Sequence, residues 1–183
     1  AKFLNIPLII YENNYVLGRT NKYLLSFAKK LLIATDTISN CPKKYKNKIV
    51  KVGHILREDI LNYSSFENKN KSDYFSILIL GGSQGAEIFG KIVPEVIKRV
   101  QQFGYKINIY HQCINKQHES LIHFYNENKI NNNVFVFSSN ILKYISKANI
   151  AISRCGASTM AELVYLRTPF IAVPYPYAMD NHQ

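Results

Sequence analysis

Two short stretches of this chain combine small residues in the pattern of an anion-cradling turn. The first is Leu80-Gly81-Gly82-Ser83-Gln84-Gly85-Ala86, entered from the apolar run Ile77-Leu78-Ile79. The second is Ser153-Arg154-Cys155-Gly156-Ala157-Ser158-Thr159, entered from Ile150-Ala151-Ile152. Each reads as a buried strand passing through a small-residue turn into a helix. Such a turn aims backbone N–H groups and the positive helix end at one spot, which suits a phosphate. The first stretch is neither a Walker A loop, since no Gly-Lys-Ser/Thr follows, nor the spaced Gly-x-Gly-x-x-Gly fingerprint. A tight turn that needs glycine for positive φ accounts for the same residues without a ligand. On spacing alone both readings stand.

Other polar groups cluster near these turns. Thr159-Met160-Ala161-Glu162 fits a helix capping box, which makes Glu162 a structural cap. Alternatively its carboxylate accepts hydrogen bonds from sugar hydroxyls, as acidic residues do at ribose diols. Arg154 can neutralise a phosphate or be an ordinary surface arginine. Asp180-Asn181-His182-Gln183 follows the run Val173-Pro174-Tyr175-Pro176-Tyr177, and its carboxylate and amides are suited to sugar hydroxyls. A solvated loop is the plainer reading of such a cluster. His111, at a strand end, is expected to be half-buried and structural. The five histidines and three cysteines show no metal-ligand spacing, so no metal or cofactor is expected. The odd cysteine count fits reduced thiols in a cytosolic protein. No Ser-His-Asp or Cys-His arrangement can be argued, so no catalytic residue is assigned.

The elements that carry these groups follow from hydrophobic periodicity. Residues 6–11 read as a strand, and 21–32 as an amphipathic helix with Tyr23, Leu24, Phe27 and Leu31 on one side. Short strands at 32–35 and 48–52 flank a basic loop, Cys41-Pro42-Lys43-Lys44-Tyr45-Lys46, and 67–73 reads as a solvated loop. From residue 74 strands alternate with helices. Strands are expected at 75–80, 106–111, 133–137, 149–153 and 169–173. Helices are expected at 85–101, 116–128, 140–147 and 157–167. This alternation implies an α/β fold, a Rossmann-like parallel sheet covered on both faces. Ligands in such sheets bind along the strand C-termini, where both glycine turns fall. A domain boundary is expected between residues 55 and 56, giving domains 1–55 and 56–183.

Composition bounds the possibilities further. The 183 residues are 47% hydrophobic, ample for a core, and no apolar run approaches a membrane span. A formal charge of +11 favours anionic partners: nucleic acid, acidic lipid or phosphorylated substrates. Asn, Ile and Lys are enriched together, so a coding bias explains the charge equally well. The first residue is Ala1, a strand follows almost at once, and the chain stops in a polar cluster. The expectation is a fragment of a longer protein.

The three motifs, in this order, resemble the MurG family of glycosyltransferases. The resemblance rests on Leu80–Ala86, on Ser153–Leu163 and on Val173–Gln183. It extends to Ile6-Pro7-Leu8-Ile9-Ile10-Tyr11-Glu12-Asn13-Asn14, which is similar to a His-Glu-Gln-Asn segment, and to Ile109-Tyr110-His111-Gln112. It implies the C-terminal half of a GT-B glycosyltransferase plus the tail of its N-terminal, acceptor domain. The implied reaction transfers GlcNAc from UDP-GlcNAc to lipid I, with inversion, forming lipid II of peptidoglycan. By this resemblance Ser83 and Gln84 border the diphosphate, with Thr159 near the phosphates. Glu162 holds the ribose hydroxyls, and Ala157 offers backbone to the sugar. Asn14 faces the cleft, Arg57 lies near the nucleotide at the domain junction, and the Ser138 backbone contacts uracil. His182 and Gln183 read the GlcNAc hydroxyls. The sequence departs from the family at Tyr11 and Asn13, which stand where the family has histidine and glutamine, and at Ser138-Ser139-Asn140.

The implied partners are UDP-GlcNAc and a lipid I acceptor at the inner face of the cell membrane, reached from the cytoplasm. The family's catalytic histidine lies in N-terminal loops that this sequence does not contain. The chain by itself is therefore expected to be inactive. Two competitors keep the donor site but change its use: a nucleotide-sugar-binding module acting with a separate acceptor-domain polypeptide, and a non-functional remnant. A nucleic-acid binder ranks last, because no RNA- or DNA-binding module is recognisable. The basic loop at 43–48 offers a positive surface to anionic lipid.

Overall fold

The structure, a computed structural model, describes residues 4–63 and 73–176, with the side chains of residues 83–86 excepted. Its contacts form a first unit that ends at Arg57 and takes in Pro176, and a second from Glu58 to Tyr175.

In the first unit β1 (Leu8–Glu12), β2 (Ala28–Ile33) and β3 (Ile49–Lys51) form a parallel sheet in the order β1-β2-β3. Helix α1 (Arg19–Leu24) makes the first crossover. Ile10, Leu17, Leu25, Leu31 and Ile33 are the buried centre. The helix expected over 21–32 is therefore a short helix followed by a strand. Ala28–Ile33 is the central strand, with ladders to both neighbours. Two ladders outweigh the weak intrinsic preference of Lys and Leu for helix. The basic loop is a 3-10 helix over Lys43–Lys48. Its last lysine turns inward: Lys48 Nζ donates to Leu25 O at 3.0 Å and Ala28 O at 2.6 Å. That charge fastens the turn between α1 and β2.

The second unit begins with α2 (Glu58–Leu61) and continues as β4 (Phe75–Leu80), α3 (Gly82–Gln102), β5 (Ile107–Gln112) and α4 (His118–Glu127). It ends with β6 (Asn131–Phe135), α5 (Ile141–Lys147), β7 (Ile150–Arg154), α6 (Ala157–Tyr165) and β8 (Phe170–Val173). The five strands are all parallel, in the order β6-β5-β4-β7-β8. This is the expected Rossmann-like sheet. The chain builds outward from β4 to β6, then crosses back to add β7 and β8 on the other side. Ile77, Ile79, Ile107 and Ile109 meet Phe89, Val93 and Ile97 of α3 and Leu121 and Tyr125 of α4 on one face. Leu78 and Leu80 alternate to the opposite face and are also buried. Covering on both faces is why β4 reads as a continuous apolar run.

Side chains reinforce the central pairing. Asn149 Oδ1 accepts the Ser76 amide at 2.7 Å, and the Asn149 amide donates to Ser76 O at 2.8 Å. One residue thus locks the start of β7 onto β4. Strand β6 starts earlier than the pattern expected, because its register aligns Asn131 with Asn108 and Phe135 with Gln112. An edge strand tolerates the polar Asn131-Asn132-Asn133 run, which hydrophobicity alone reads as loop.

Candidate functional site

Strand order decides where a ligand can sit. In a doubly wound sheet the crevice opens between the two strands whose crossovers leave in opposite directions. Here those strands are β4 and β7, paired in register so that Leu80 lies opposite Ser153. The residues that follow them are the two glycine turns. Adjacent strands are about 4.8 Å apart, so the turns stand side by side at the C-terminal edge.

Each turn has the backbone its sequence foretold. Gly81 is the N-cap of α3, and Gly82 has φ of +64°, a conformation that costs a side-chain-bearing residue about 1 kcal/mol or more. A Cβ added at Gly82 would meet nothing within 4 Å, so the space over the turn is open. Gly156, extended at φ −67° and ψ 129°, is the N-cap of α6, and the Met160 amide closes the first turn onto Gly156 O at 2.9 Å. Glycine caps bring no side-chain acceptor to these helix ends, whose first amides have no intrahelical partner. Two long-enough helices, α3 and α6, therefore direct their positive ends toward one crevice.

The capping-box reading of Thr159 and Glu162 is corrected by this geometry. The helix starts at Ala157, so Thr159 already lies in its first turn and Glu162 in its second. Gly156 takes the cap position because an extended residue must precede the first helical one. Thr159 and Glu162, three residues apart, share one flank of α6 and are half-buried, beside the buried Leu163. Ala157 is the first helical residue.

Arg154 is half-buried. Its Nη1 donates to Pro174 O at 2.7 Å and to Val173 O at 3.4 Å. Its guanidinium carbon lies 5.0 Å from the Phe89 ring centroid and 5.5 Å from that of Tyr175. Sequence spacing held no signal for this arrangement.

At the outer strand β6, Phe137 is 84% exposed, and Ser138 Oγ accepts the Asn140 amide at 3.1 Å in the turn that opens α5. In the first unit, Asn14 is held by Glu12: its amide and Nδ2 both donate to Glu12 Oε1 at 3.1 Å. Glu12 Oε2 accepts Gly18 N at 3.0 Å and Asn21 Nδ2 at 2.9 Å. The substituted Tyr11 and Asn13 join a network of their own. Tyr11 Oη reaches Asn13 Oδ1 at 3.0 Å and accepts the Ile55 amide at 3.2 Å, while His54 Nδ1 lies 2.9 Å from Asn13 Oδ1. Arg57 is exposed at the end of this unit. Ser83 and Gln84 fall in the first turn of α3, and their side chains lie outside the described residues, as do His182 and Gln183 entirely.

His111 departs from the half-buried residue expected. It is fully buried in β5, with Nδ1 2.8 Å from the Tyr125 hydroxyl and no partner for Nε2. Burial pushes its pKa from 6.5 down to about 4. Its ring is held against Tyr125 of α4. Among the described residues there is no cluster of three or more potential metal ligands, and no helix is long and apolar enough to cross a membrane.

The family model for the glycosyltransferase family 28 C-terminal domain matches residues 76–183. Two curated relatives, from Pelagibacter ubique (strain HTCC1062) and Rickettsia felis (strain ATCC VR-1525 / URRWXCal2), are each 40% identical over the whole chain. Both carry the name UDP-N-acetylglucosamine--N-acetylmuramyl-(pentapeptide) pyrophosphoryl-undecaprenol N-acetylglucosamine transferase. The chain covers 51% of the first and 53% of the second, so it spans about half the length of these relatives. The crystal structure of Acinetobacter baumannii MurG aligns with all of the chain and 50% of its own, at 29% identity and a TM-score of 0.74. A glycosyltransferase from Rickettsia africae ESF-5, 14% identical with a TM-score of 0.57 over 93% of this chain and 52% of its own, shares the fold.

Proposed function

Because the chain belongs to glycosyltransferase family 28, we propose that it is the donor-binding part of a MurG-type enzyme, which transfers GlcNAc from UDP-GlcNAc to lipid I. The observation that carries this reading is the pair of glycine turns, adjacent in register at the switch point between β4 and β7. A diphosphate seated there would face the N-termini of α3 and α6 together. In the reaction, a lipid I hydroxyl oxygen attacks the sugar C1 as the bond from C1 to the diphosphate oxygen breaks. Charge accumulates on the departing UDP, where fixed amide dipoles stabilise it without reorganising. The proton released by the acceptor hydroxyl goes to a general base, to which no residue of this chain is assigned.

The residue roles follow the same frame. Ser83 and Gln84 border the diphosphate, with Thr159 near the phosphates. Glu162, on the Thr159 flank of α6, accepts from the ribose hydroxyls, and the Ala157 backbone lies at the sugar. The Ser138 turn at the end of β6 takes the uracil, while His182 and Gln183 read the GlcNAc hydroxyls. The first unit corresponds to the end of the acceptor domain, residues 1–55, and residues 56–183 to the donor domain; the division after Arg57 supports this. The enzyme would work from the cytoplasm at the inner membrane face, where its lipid-linked acceptor lies.

Titration of UDP-GlcNAc into wild type and Glu162→Ala tests the site. The variant should bind about tenfold or more weakly, the loss expected when a charged group's hydrogen bonds to a diol are removed. Equal binding by both would remove Glu162 from the ribose.

A further inference from the structure

We infer that the outer flank of α3 is a self-association surface, through which two copies of this chain pair about a two-fold axis with their α3 helices antiparallel. The inference goes beyond the donor-site reading and needs no part of it.

Helix α3 turns one face to the sheet, where Phe89, Val93 and Ile97 enter the core. A second flank meets α4 and the residues before it: Gln117 Nε2 donates to Glu87 O at 3.0 Å, and Lys98 Nζ lies 5.9 Å from the Phe124 ring centroid. At about 100° per residue, the flank away from α4 carries Ile88, Ile92 and Val96. They are 40%, 55% and 48% exposed and follow one another at four-residue spacing, so the apolar row is continuous. Single exposed isoleucines are ordinary, but three in line on one helix make a strip of the kind that marks an interface. The charges beside the strip keep the same spacing and alternate in sign: Glu87, Lys91, Glu95 and Arg99. Glu87 is paired with Lys91 at 2.8 Å and Lys116 at 3.0 Å. Among the described residues Glu95 and Arg99 form no ion pair.

That alternation identifies the occupant as a second copy. In reverse order the signs run positive, negative, positive, negative, so the row is its own complement. Turned end for end about Val93, Lys91 faces Glu95 of the copy and Glu95 faces its Lys91, with Arg99 and Glu87 opposed at the ends. The same register brings Ile92 of the copy level with Pro94, between Ile92 and Val96. It brings Val96 of the copy level with Gly90, between Ile88 and Ile92. The two apolar rows interleave, as ridges of four-residue spacing do in the commonest class of helix crossing. Such a pair is isologous and closes at two copies. A parallel pair in register sets like charges together, and one slipped by four residues restores the match but does not close. Rows of three side chains make a small contact, of the weak and transient class under about 1,200 Å². The expected dissociation constant is on the order of 10–100 μM.

Sedimentation velocity of the wild-type chain from about 1 to 500 μM, a range that brackets this affinity, should show monomer passing to dimer and stopping there. Ile92→Ser should stay monomeric throughout. Lys91→Glu and Glu95→Lys each set like charges across the axis twice, and each should weaken association by about tenfold or more. The double variant, Lys91→Glu with Glu95→Lys, should return association to within about threefold of wild type. Ile55→Ser removes a more exposed apolar side chain, at 67%, from the first unit and should leave association unchanged. Thermal unfolding of each variant establishes that it is folded. A wild type that stays monomeric across the range overturns the inference, as does growth beyond the dimer. Charge variants that associate like wild type, or a double variant no better than the single ones, overturn it as well. So does equal weakening by Ile55→Ser, which would mark general adhesion of exposed apolar groups. If Ile92→Ser does not fold, the exposed pair Lys91 and Glu95 decides the question by itself.

Discussion

His111 and Glu12 are both buried polar groups, and the fold treats them in opposite ways. Glu12 is 4% exposed, and burial pushes its carboxyl up. Hydrogen bonds from the Gly18 amide, the Asn21 side chain and Asn14 outweigh that and hold it below its ordinary 4.5. An ionised carboxylate with four donors can thus organise the loop that presents Asn14. His111 has one partner and a buried, unpartnered Nε2, so the neutral ring is the form the core tolerates. The consequence for stability has a definite sign. Above pH 6.5 the ring is neutral in both the folded and unfolded chain, and its contribution is complete. As pH falls toward 4 the unfolded chain takes the proton first, so stability is lost across that window, by about 3 kcal/mol at most. Denaturant unfolding between pH 7 and pH 4 should show this loss in wild type and a flatter profile in His111→Gln, which keeps an acceptor for Tyr125 without titrating. An unchanged profile would assign the acid sensitivity to carboxylates such as Glu12. Neither burial could be read from the sequence. His111 and Glu12 each end an apolar run, and such positions are as often half-exposed as enclosed.

Elements show where local pattern succeeds and where it is overruled. Strand β4, helix α3 and the strand-turn-helix at β7–α6 were legible because long apolar periodicity and glycine punctuation agree there. Ala28–Ile33 was not. Its leucines and lysines fit a continuing helix, but the strand gains a backbone ladder on each side, and only the neighbours supply those. The supposed cap at Thr159 failed for a smaller reason: a three-residue spacing recurs within any helix, so it marks a helix start only when an extended residue precedes it. The first glycine turn offers a direct test at this scale. Gly82→Ala should cost about 1 kcal/mol of stability, from its positive φ. Its methyl group would occupy the open space over the turn, so UDP affinity should fall by about tenfold or more if the amides there hold phosphate. Titration of UDP into the folded variant decides this. Unchanged affinity would make the turn a structural device alone.

For the molecule as a whole, the matched relatives are about twice as long as this chain. On the proposed reading, a donor site at β4–β7 would bind and polarise a nucleotide sugar, but transfer would also need an acceptor hydroxyl held at C1 and a base to take its proton. Purified chain supplied with UDP-GlcNAc and lipid I should therefore form no lipid II. Product in that assay would place the acceptor machinery within these residues. The formal charge of +11 has no single address in the fold. Lys48 is spent on backbone carbonyls and Arg154 on carbonyls and rings, so part of the charge is internal bracing. Local chemistry came from the residues themselves: glycine where φ must be positive, apolar runs where both faces are covered, small residues where a strand turns into a helix. These effects act over a few neighbours and leave their mark in the string. The tertiary structure decided that β7 lies beside β4, that Ala28–Ile33 is a strand, that His111 is enclosed and that Arg154 reaches the exit from β8. Each depends on groups far apart in the chain, brought together by burial and loop closure, and such pairings have no local signature.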